Sequence, residues 1–153
     1  MTQPEAGPGG LLGIGQAAAR TGVSERALRY YQQLGLITPT GRTPGGLRRY
    51  SDADLARVAR LRQLQDLLGF NLEEIRVIFS NEDRLDELRR EYRAEDTTAA
   101  RRRELAAEAL AVRDRLREQV AAKLTALEGF LAKLDAERER VRRLLEEDLV
   151  ARP

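Results

Sequence analysis

The fold of this chain is decided by residues 24–50, which read SERALRYYQQLGLITPTGRTPGGLRRY. The first part is typical of a short helix, because the Ser24 hydroxyl can accept from the exposed amides of the first turn and Gly35 can end the helix in the left-handed conformation. The second part predicts a hairpin from Thr38 to Tyr50, which turns where glycine tolerates a positive φ. A helix followed directly by an arginine-bearing hairpin lets a protein place one element in a DNA groove and rest another on the neighbouring phosphates.

The predicted helix has two distinct faces at helical spacing. The residues expected to pack inward are Ala27, Leu28, Tyr31 and Leu34. The residues on the opposite face are Arg26, Arg29, Tyr30 and Gln33. Arginine can grip a phosphate or a guanine edge through two N–H groups, and tyrosine offers a hydroxyl donor. This face therefore predicts contact with DNA, and the alternative is that it carries ordinary solvated charges.

The N-terminus of the same helix adds Ser24, Glu25 and Arg26 to the predicted DNA-binding residues. Backbone amides at a helix N-terminus suit a phosphate, and recognition helices usually meet base edges there. Glu25 is expected either to accept from a cytosine amine or to orient an arginine, since a carboxylate facing DNA is otherwise costly.

The hairpin brings Arg42, Arg48, Arg49 and Tyr50 to the predicted DNA-binding set. Side chains alternate along a strand, so Arg48 and Tyr50 are expected on one face and Arg49 on the other. The three arginines are therefore not expected to meet the same phosphates. The alternative is a loop that carries charge for solubility.

The distribution of charge supports a polyanionic partner. The 153-residue chain has a net charge of only +2, with 27 basic and 25 acidic residues. Residues 20–62, however, contain nine arginines and only three carboxylates. Such a concentrated patch on a nearly neutral chain is typical of nucleic-acid binding at one site.

The chain contains no cysteine and no histidine. Disulfides, thiolate metal sites and cysteine-held iron–sulfur clusters are thereby excluded, and the commonest general base is missing. There is also no phosphate-binding glycine loop and no carboxylate pair in a recognisable catalytic setting. We expect no enzyme activity, no metal and no cofactor.

Four further helices are predicted around residues 24–50. A short helix at residues 15–20 precedes it and ends in a turn at residues 21–23. Ser51 caps a helix whose buried stripe is Leu55, Val58, Leu61, Leu64 and Leu68, and which ends at Gly69. Asn71 and Glu74 form a capping-box pattern that opens the next helix, whose inner face is Leu72, Ile75, Ile78 and Phe79. Residues 80–103 are expected to hold a short amphipathic helix with Leu85, Leu88 and Tyr92 on one stripe, broken near residues 96–98.

A long helix is predicted from Glu104 onwards. Its apolar residues step mostly by three and four, which is the pattern of a coiled-coil seam: Leu116, Val120, Leu124, Leu127, Leu131, Leu134, Val141 and Leu145. A helix of this length with one apolar stripe needs a partner helix, most simply its own copy.

These patterns predict a mainly α chain with five segments. They are a disordered tail at residues 1–10, a compact domain at 11–80, a helical connector at 81–103, a dimerisation helix at 104–149 and a tail at 150–153. No apolar run approaches the length that spans a bilayer, and the N-terminus does not have the pattern of a signal peptide. We expect a cytoplasmic, nucleoid-associated protein with no membrane partner.

Several ordered motifs resemble those of the MerR family of bacterial transcription regulators, over about residues 12–80. They are Ile14-Gly15-Gln16-Ala17-Ala18, Thr21-Gly22-Val23-Ser24, Leu28-Arg29-Tyr30-Tyr31, Leu34-Gly35-Leu36-Ile37, Gly46-Leu47-Arg48-Arg49-Tyr50 and Leu68-Gly69-Phe70-Asn71-Leu72-Glu73-Glu74-Ile75. The long C-terminal helix is similar in position and pattern to the dimerisation coil of that family.

The resemblance implies a winged helix-turn-helix domain followed by an antiparallel coiled coil that joins two copies. It implies a homodimer that binds a near-palindromic promoter operator and bends or untwists it for RNA polymerase. By motif match, Arg29, Tyr30, Arg42, Arg48 and Tyr50 fall at DNA-contact positions of the family.

The chain departs from the family pattern after the coil, where a sensing domain or a cysteine-bearing loop is common. Two options stay open for a signal: a small apolar ligand in a pocket lined by Leu85, Leu88 and Tyr92, or no ligand at all. Three alternatives to a promoter-remodelling regulator also stay open, namely a DNA-architectural protein, a simple repressor and a coiled-coil adaptor.

Overall fold

The computed structural model describes residues 10–150 of the chain, with side chains up to Glu147. The predicted tails lie outside the described residues, apart from Gly10 and Val150. The described part is mainly α, which confirms the predicted fold class. It divides into two compact units between Asp83 and Arg84.

The first unit opens with two short helices joined by a tight turn. Helix α1 spans Ile14–Thr21 and helix α2 spans Glu25–Gln33. Gly22 ends α1 with φ of 69°, and its N–H donates to the Ala18 carbonyl. The Ser24 hydroxyl accepts from the Ala27 amide at 3.1 Å, as the sequence predicts for an N-cap. These two helices form a helix-turn-helix.

A two-stranded antiparallel hairpin follows α2 and forms the wing. Strand β1 is Gly41–Arg42 and strand β2 is Arg48–Arg49, with Arg42 directly opposite Arg48. The turn between the strands is closed by Thr43, whose carbonyl accepts from Gly46 at 2.8 Å. Beyond β2, Tyr50 pairs with Leu12 through two backbone hydrogen bonds of 2.8 and 2.9 Å. The wing is therefore tied to the segment that precedes α1.

Helix α3, Asp52–Arg62, continues into a π-helical turn at Gln63–Leu67. The predicted buried stripe holds through Leu61 and Leu64, which are 0% and 2% exposed, but Leu68 is 49% exposed. A π turn holds an extra residue, so the side chains after it are rotated about the helix axis. Phe70 is buried instead, and its amide donates to the Leu64 carbonyl at 3.0 Å.

Helix α4 spans Leu72–Arg93 without a break. Its first turn carries the predicted capping box, in which the Asn71 amide donates to Glu74 at 2.7 Å and the Glu74 amide donates to Asn71 at 2.9 Å. The expectation of a separate helix after Ser80 was wrong. Residues 80–93 contain no proline and no glycine that would end the helix, so α4 continues through them.

The core of the first unit comes from every one of these elements. Its most buried side chains are Leu12, Ala17, Leu28, Leu36, Ile37, Tyr50, Val58, Leu61, Leu64, Phe70, Ile75, Ile78 and Phe79.

The second unit consists of the C-terminal half of α4 and the whole of helix α5, Ala99–Val150. Helix α5 begins five residues earlier than predicted, because the Thr98 hydroxyl accepts from the Arg101 amide at 3.1 Å and caps it. Ion pairs join the two helices, with Arg84 on Glu108 at 2.6 Å and Arg101 on Glu91 at 2.7 Å. The small core between them is Leu85, Leu88, Leu105 and Val112, with Leu116 packed against it.

Beyond Leu116, the apolar stripe of α5 has no cover within the described part of the chain. The stripe residues are 45–61% exposed, and they are Val120, Leu124, Leu127, Leu131, Leu134, Val141 and Leu145. Among the described residues, no helix combines the length and apolar character that crossing a membrane requires.

Candidate nucleic-acid interface

The outer face of α2 carries an exposed row of polar side chains. Ser24, Arg26, Arg29, Tyr30 and Gln33 line a shallow depression of about 600 Å³, together with Ala27. The structure thus brings together the four residues that the sequence places on this face and Ser24 from the helix N-terminus.

The two adjacent tyrosines of α2 have opposite environments. Tyr30 is 49% exposed on the outer face, whereas Tyr31 is 9% exposed in the core. Burial raises the pKa of the Tyr31 phenol, the nearby Asp66 carboxylate raises it further and Arg62 opposes them. Tyr31 is therefore a neutral core residue, and Tyr30 alone of this pair offers a hydroxyl to a ligand.

Glu25 holds the guanidinium of Arg29. The two groups lie one helical turn apart and form a 2.9 Å ion pair. The Glu25 carboxylate also lies against the first turn of α1, since a Cβ at Gly15 would be 3.3 Å from its Oε1. Both groups are about half exposed, so the pair contributes little to stability. Two roles are predicted for Glu25, and this geometry agrees with the second one, in which its carboxylate orients an arginine.

The wing presents two arginines side by side. Arg42 and Arg48 are exposed and face each other across the two strands. Arg49 is half-buried and belongs to the neighbouring register pair with Gly41. Only Arg42 and Arg48 thus form a common cationic edge, in line with the expectation that three arginines do not meet the same phosphates.

Tyr50 is a correction to the predicted site. Its side chain is 0% exposed, and its hydroxyl accepts from the Gln32 amide nitrogen of α2. A side chain this buried cannot touch a ligand without unfolding the wing. The alternation expected along the strand ends at Arg49, because Tyr50 leaves the hairpin to bridge Leu12. The sequence does contain an indication that Tyr50 lies outside the strand. Ser51 is predicted to cap the next helix, and a strand must end before the residue that caps a helix.

A substitution at Tyr50 separates a structural role from a contact role. Tyr50→Phe keeps the packing and removes the hydrogen bond to Gln32, so we expect a loss of about 1 kcal/mol in the free energy of unfolding. Urea denaturation followed by circular dichroism measures it. Tyr30→Phe, on the exposed face of α2, is the control and should change stability by less than about 0.5 kcal/mol. Unchanged stability in Tyr50→Phe would refute the structural role.

The charge patch is smaller than the sequence predicts, because five of its nine arginines have carboxylate partners. The pairs are Arg20–Asp52 at 3.6 Å, Arg29–Glu25 at 2.9 Å, Arg57–Asp83 at 2.6 Å, Arg60–Glu82 at 2.9 Å and Arg62–Asp66 at 3.1 Å. Arg57 also donates to the Leu36 carbonyl at 2.7 Å and lies over the Phe79 ring, so its role is structural.

The remaining four arginines of the patch have no ion pair within the part of the chain that the structure describes. They are Arg26, Arg42, Arg48 and Arg49, and all four lie on α2 or the wing. The unneutralised positive charge of the first unit is therefore concentrated on the two elements that the sequence predicts to contact DNA. Across residues 10–147, no group of three or more acidic side chains could hold a metal ion.

This arrangement suits a duplex. A helix with an exposed N-terminus and a row of Arg, Tyr and Gln side chains has the chemistry that reads base edges in a major groove. A neighbouring hairpin with two adjacent guanidiniums has the chemistry that grips phosphates. The fold and this surface together define a winged helix-turn-helix protein.

Comparison with known proteins places this fold in a family. Residues 12–82 match the model of the MerR HTH family regulatory proteins. The regulator YfmP of Bacillus subtilis (strain 168), described as an HTH-type transcriptional regulator, is 39% identical over 62 residues, which are 40% of this chain and 44% of YfmP. The nodulation protein NolA of Bradyrhizobium elkanii is 39% identical over 106 residues, which are 69% of this chain and 45% of NolA.

A solved structure shares the fold over most of the chain. The crystal structure of HiNmlR, a MerR family regulator that lacks the sensor domain and is bound to promoter DNA, covers 88% of this chain and 92% of its own, with a TM-score of 0.51 and 22% identity. Residues 12–82 are therefore a MerR-family helix-turn-helix domain, as the sequence motifs predict. The matched segments span less than half of the curated relatives YfmP and NolA. The family is one of regulatory proteins, in agreement with the prediction that the chain is not an enzyme.

Proposed function

We propose that the chain is a sequence-specific DNA-binding transcriptional regulator that binds a near-palindromic promoter operator as a homodimer. The observation that carries the proposal is the placement of the unpaired arginines of the first unit on α2 and the wing alone. An adaptor would have no use for such a surface. The description of the relative YfmP as a transcriptional regulator supports the same function.

In this proposal α2 reads the major groove. Arg29, Tyr30 and Gln33 contact base edges, and Ser24 and Arg26 contact the phosphates next to the helix N-terminus. Glu25 holds the Arg29 guanidinium in a defined direction before DNA binds. The Arg29 side chain therefore loses less conformational entropy on binding. Arg42 and Arg48 grip the phosphates beside the groove, and Arg49 supports them from the flank.

The homodimer is proposed from the apolar stripe of α5. Helix α5 has 52 residues, which at 1.5 Å per residue is about 78 Å. Its stripe from Val120 to Leu145 is about half exposed along its whole length, which is costly for a single helix in water. An antiparallel copy would cover the stripe and would place two reading domains on one palindrome.

Bending or untwisting of the promoter, with RNA polymerase bound beside the protein, is the proposed mode of action. The alternative is binding without remodelling, as in an architectural protein or a simple repressor. Transcription of a bound promoter by purified polymerase distinguishes the two, because only a remodelling protein raises the output above the protein-free level.

The experiment that tests the function is the selection of bound sequences from a random duplex library by the purified protein. An inverted repeat with fixed spacing is the expected result. Enrichment without any common sequence would reject the sequence-specific regulator and leave an architectural role.

Salt dependence tests the electrostatic part of the proposal. The logarithm of operator affinity is expected to fall linearly with the logarithm of salt concentration, with a slope of about −0.9 for each phosphate contacted. Arg48→Gln should reduce the slope by about two per dimer, since each copy loses one contact. Fluorescence anisotropy with labelled operator, at four or more salt concentrations, measures both slopes. An identical slope for the variant would mean that the wing does not contact phosphate.

A further inference from the structure

A pocket lies in the second unit, between the C-terminal half of α4 and the N-terminal part of α5. Its volume is about 260 Å³. Leu85, Leu88 and Leu105 form its apolar floor, and all three are at most 9% exposed. Ala109 lines the pocket from α5, and its short side chain leaves the space open. The pocket thus has an apolar base that does not depend on a second chain.

The lining of the pocket also carries positive charge. Arg89, Arg93 and Arg113 contribute to its lining. Arg89 is paired with Asp86 at 2.5 Å, whereas Arg93 and Arg113 have no ion pair among residues 10–147. Among the residues that the structure describes, no acidic side chain lines the pocket. Two guanidiniums of this kind, one from each helix, favour an anion in the pocket.

An aromatic side chain completes the lining. Tyr92 is 46% exposed and lies next to Arg93 in the chain. The Arg102 guanidinium lies over the Tyr92 ring, 5.9 Å from the centroid, and the ring adds aromatic surface to the lining, as is common in small-molecule pockets. A pocket lined by Leu85, Leu88 and Tyr92 is one of the two options that the sequence leaves open, and it does not include the arginines because Arg93 and Arg113 lie 20 residues apart on different helices.

We propose that this pocket binds a small organic anion, with a carboxylate or sulfonate on Arg93 and Arg113 and an apolar body on the leucine floor. The volume is below the roughly 300–1,000 Å³ of most drug-sized ligand pockets, so a body of one or two rings or a short chain fits. The binding does not rest on the function proposed above, because neither the ligand nor its contacts involve DNA.

The test uses the 153-residue chain with two matched probes. Naphthalene-1-sulfonate carries the anion, and naphthalene-1-sulfonamide has the same body without the charge. The chain has no tryptophan, so naphthalene fluorescence reports binding directly. We expect saturable binding of the sulfonate, and binding of the sulfonamide weaker by about tenfold or more.

Two sets of variants locate the site. Arg93→Gln with Arg113→Gln should weaken sulfonate binding by about tenfold or more, while Arg140→Gln with Arg143→Gln, an equal loss of charge on the distal part of α5, should leave it unchanged. Ala109→Leu should block both probes by filling the space. Should Ala109→Leu fail to fold, the arginine variants still decide, because their side chains lie at the surface.

Three results would overturn the proposal. The first is equal affinity for the two probes, or no saturable binding at millimolar sulfonate. The second is unchanged sulfonate affinity in Arg93→Gln with Arg113→Gln, which would place binding elsewhere, for example on the apolar stripe of α5. The third is a pocket variant whose self-association changes while its affinity for the probes does not. Sedimentation measures self-association, and this result would mean that a second copy covers the pocket.

Discussion

Replacing Arg29 and Arg48 together by alanine is expected to weaken operator binding by about 100-fold or more. In the proposed binding mode, the double variant removes one guanidinium that would contact a base edge and one that would contact a phosphate from each copy of the dimer. Both side chains are exposed, and neither is part of the core, so the domain should remain folded. Fluorescence anisotropy with the selected operator at one fixed salt concentration measures the effect.

The matched control is Arg76→Ala with Arg90→Ala. Both arginines are exposed on α4, so the variant loses the same charge without any change in α2 or the wing. Its affinity should stay within about threefold of the wild type, since screening at physiological salt limits long-range effects. Equal weakening in the two double variants would mean that only net charge matters, and an unaffected Arg29/Arg48 variant would reject the interface.

Leu127→Asp is expected to convert the proposed dimer into monomers. Leu127 lies in the middle of the apolar stripe of α5 and is 54% exposed in the single chain. In an antiparallel pair each copy would bring a carboxylate into the apolar seam, where an unpaired charge costs several kcal/mol. We expect the dimer dissociation constant to rise by about 100-fold or more, as measured by sedimentation equilibrium, and operator affinity to fall with it.

A conservative change at the same position provides the control. Leu127→Met keeps the apolar volume and should leave the dimer intact, because such swaps usually cost less than about 1.5 kcal/mol. A stable dimer in the aspartate variant would show that the subunits associate through another surface.

The helix ends could be predicted because their hydrogen bonds are local. Ser24 caps α2, Ser51 caps α3 with Asp54, and Asn71 forms a capping box with Glu74. Each bond joins residues three apart, so a short window of sequence contains both partners. For the same reason the two faces of α2 could be assigned from helical periodicity, and Leu28 is buried as expected.

Other features could not be predicted because the partners are far apart in the sequence. The burial of Tyr50 depends on Gln32, which lies 18 residues before it. The neutralisation of Arg57 depends on Asp83, which lies 26 residues after it. A count of charges along the sequence assigned Arg57 to the binding patch, although its guanidinium is bound to the Leu36 carbonyl and to Asp83.

The sequence by itself determined the helix-turn-helix, the wing, the identity of the exposed α2 face and the match of residues 12–82 to the MerR HTH family. All of these depend on periodicity, caps and motifs that lie within a few residues of one another. Only the tertiary structure decided which arginines remain without a carboxylate, that Tyr50 belongs to the core and that two arginines from different helices meet at one pocket. Burial and ion pairing depend on distance in space, and folding sets that distance independently of separation along the chain.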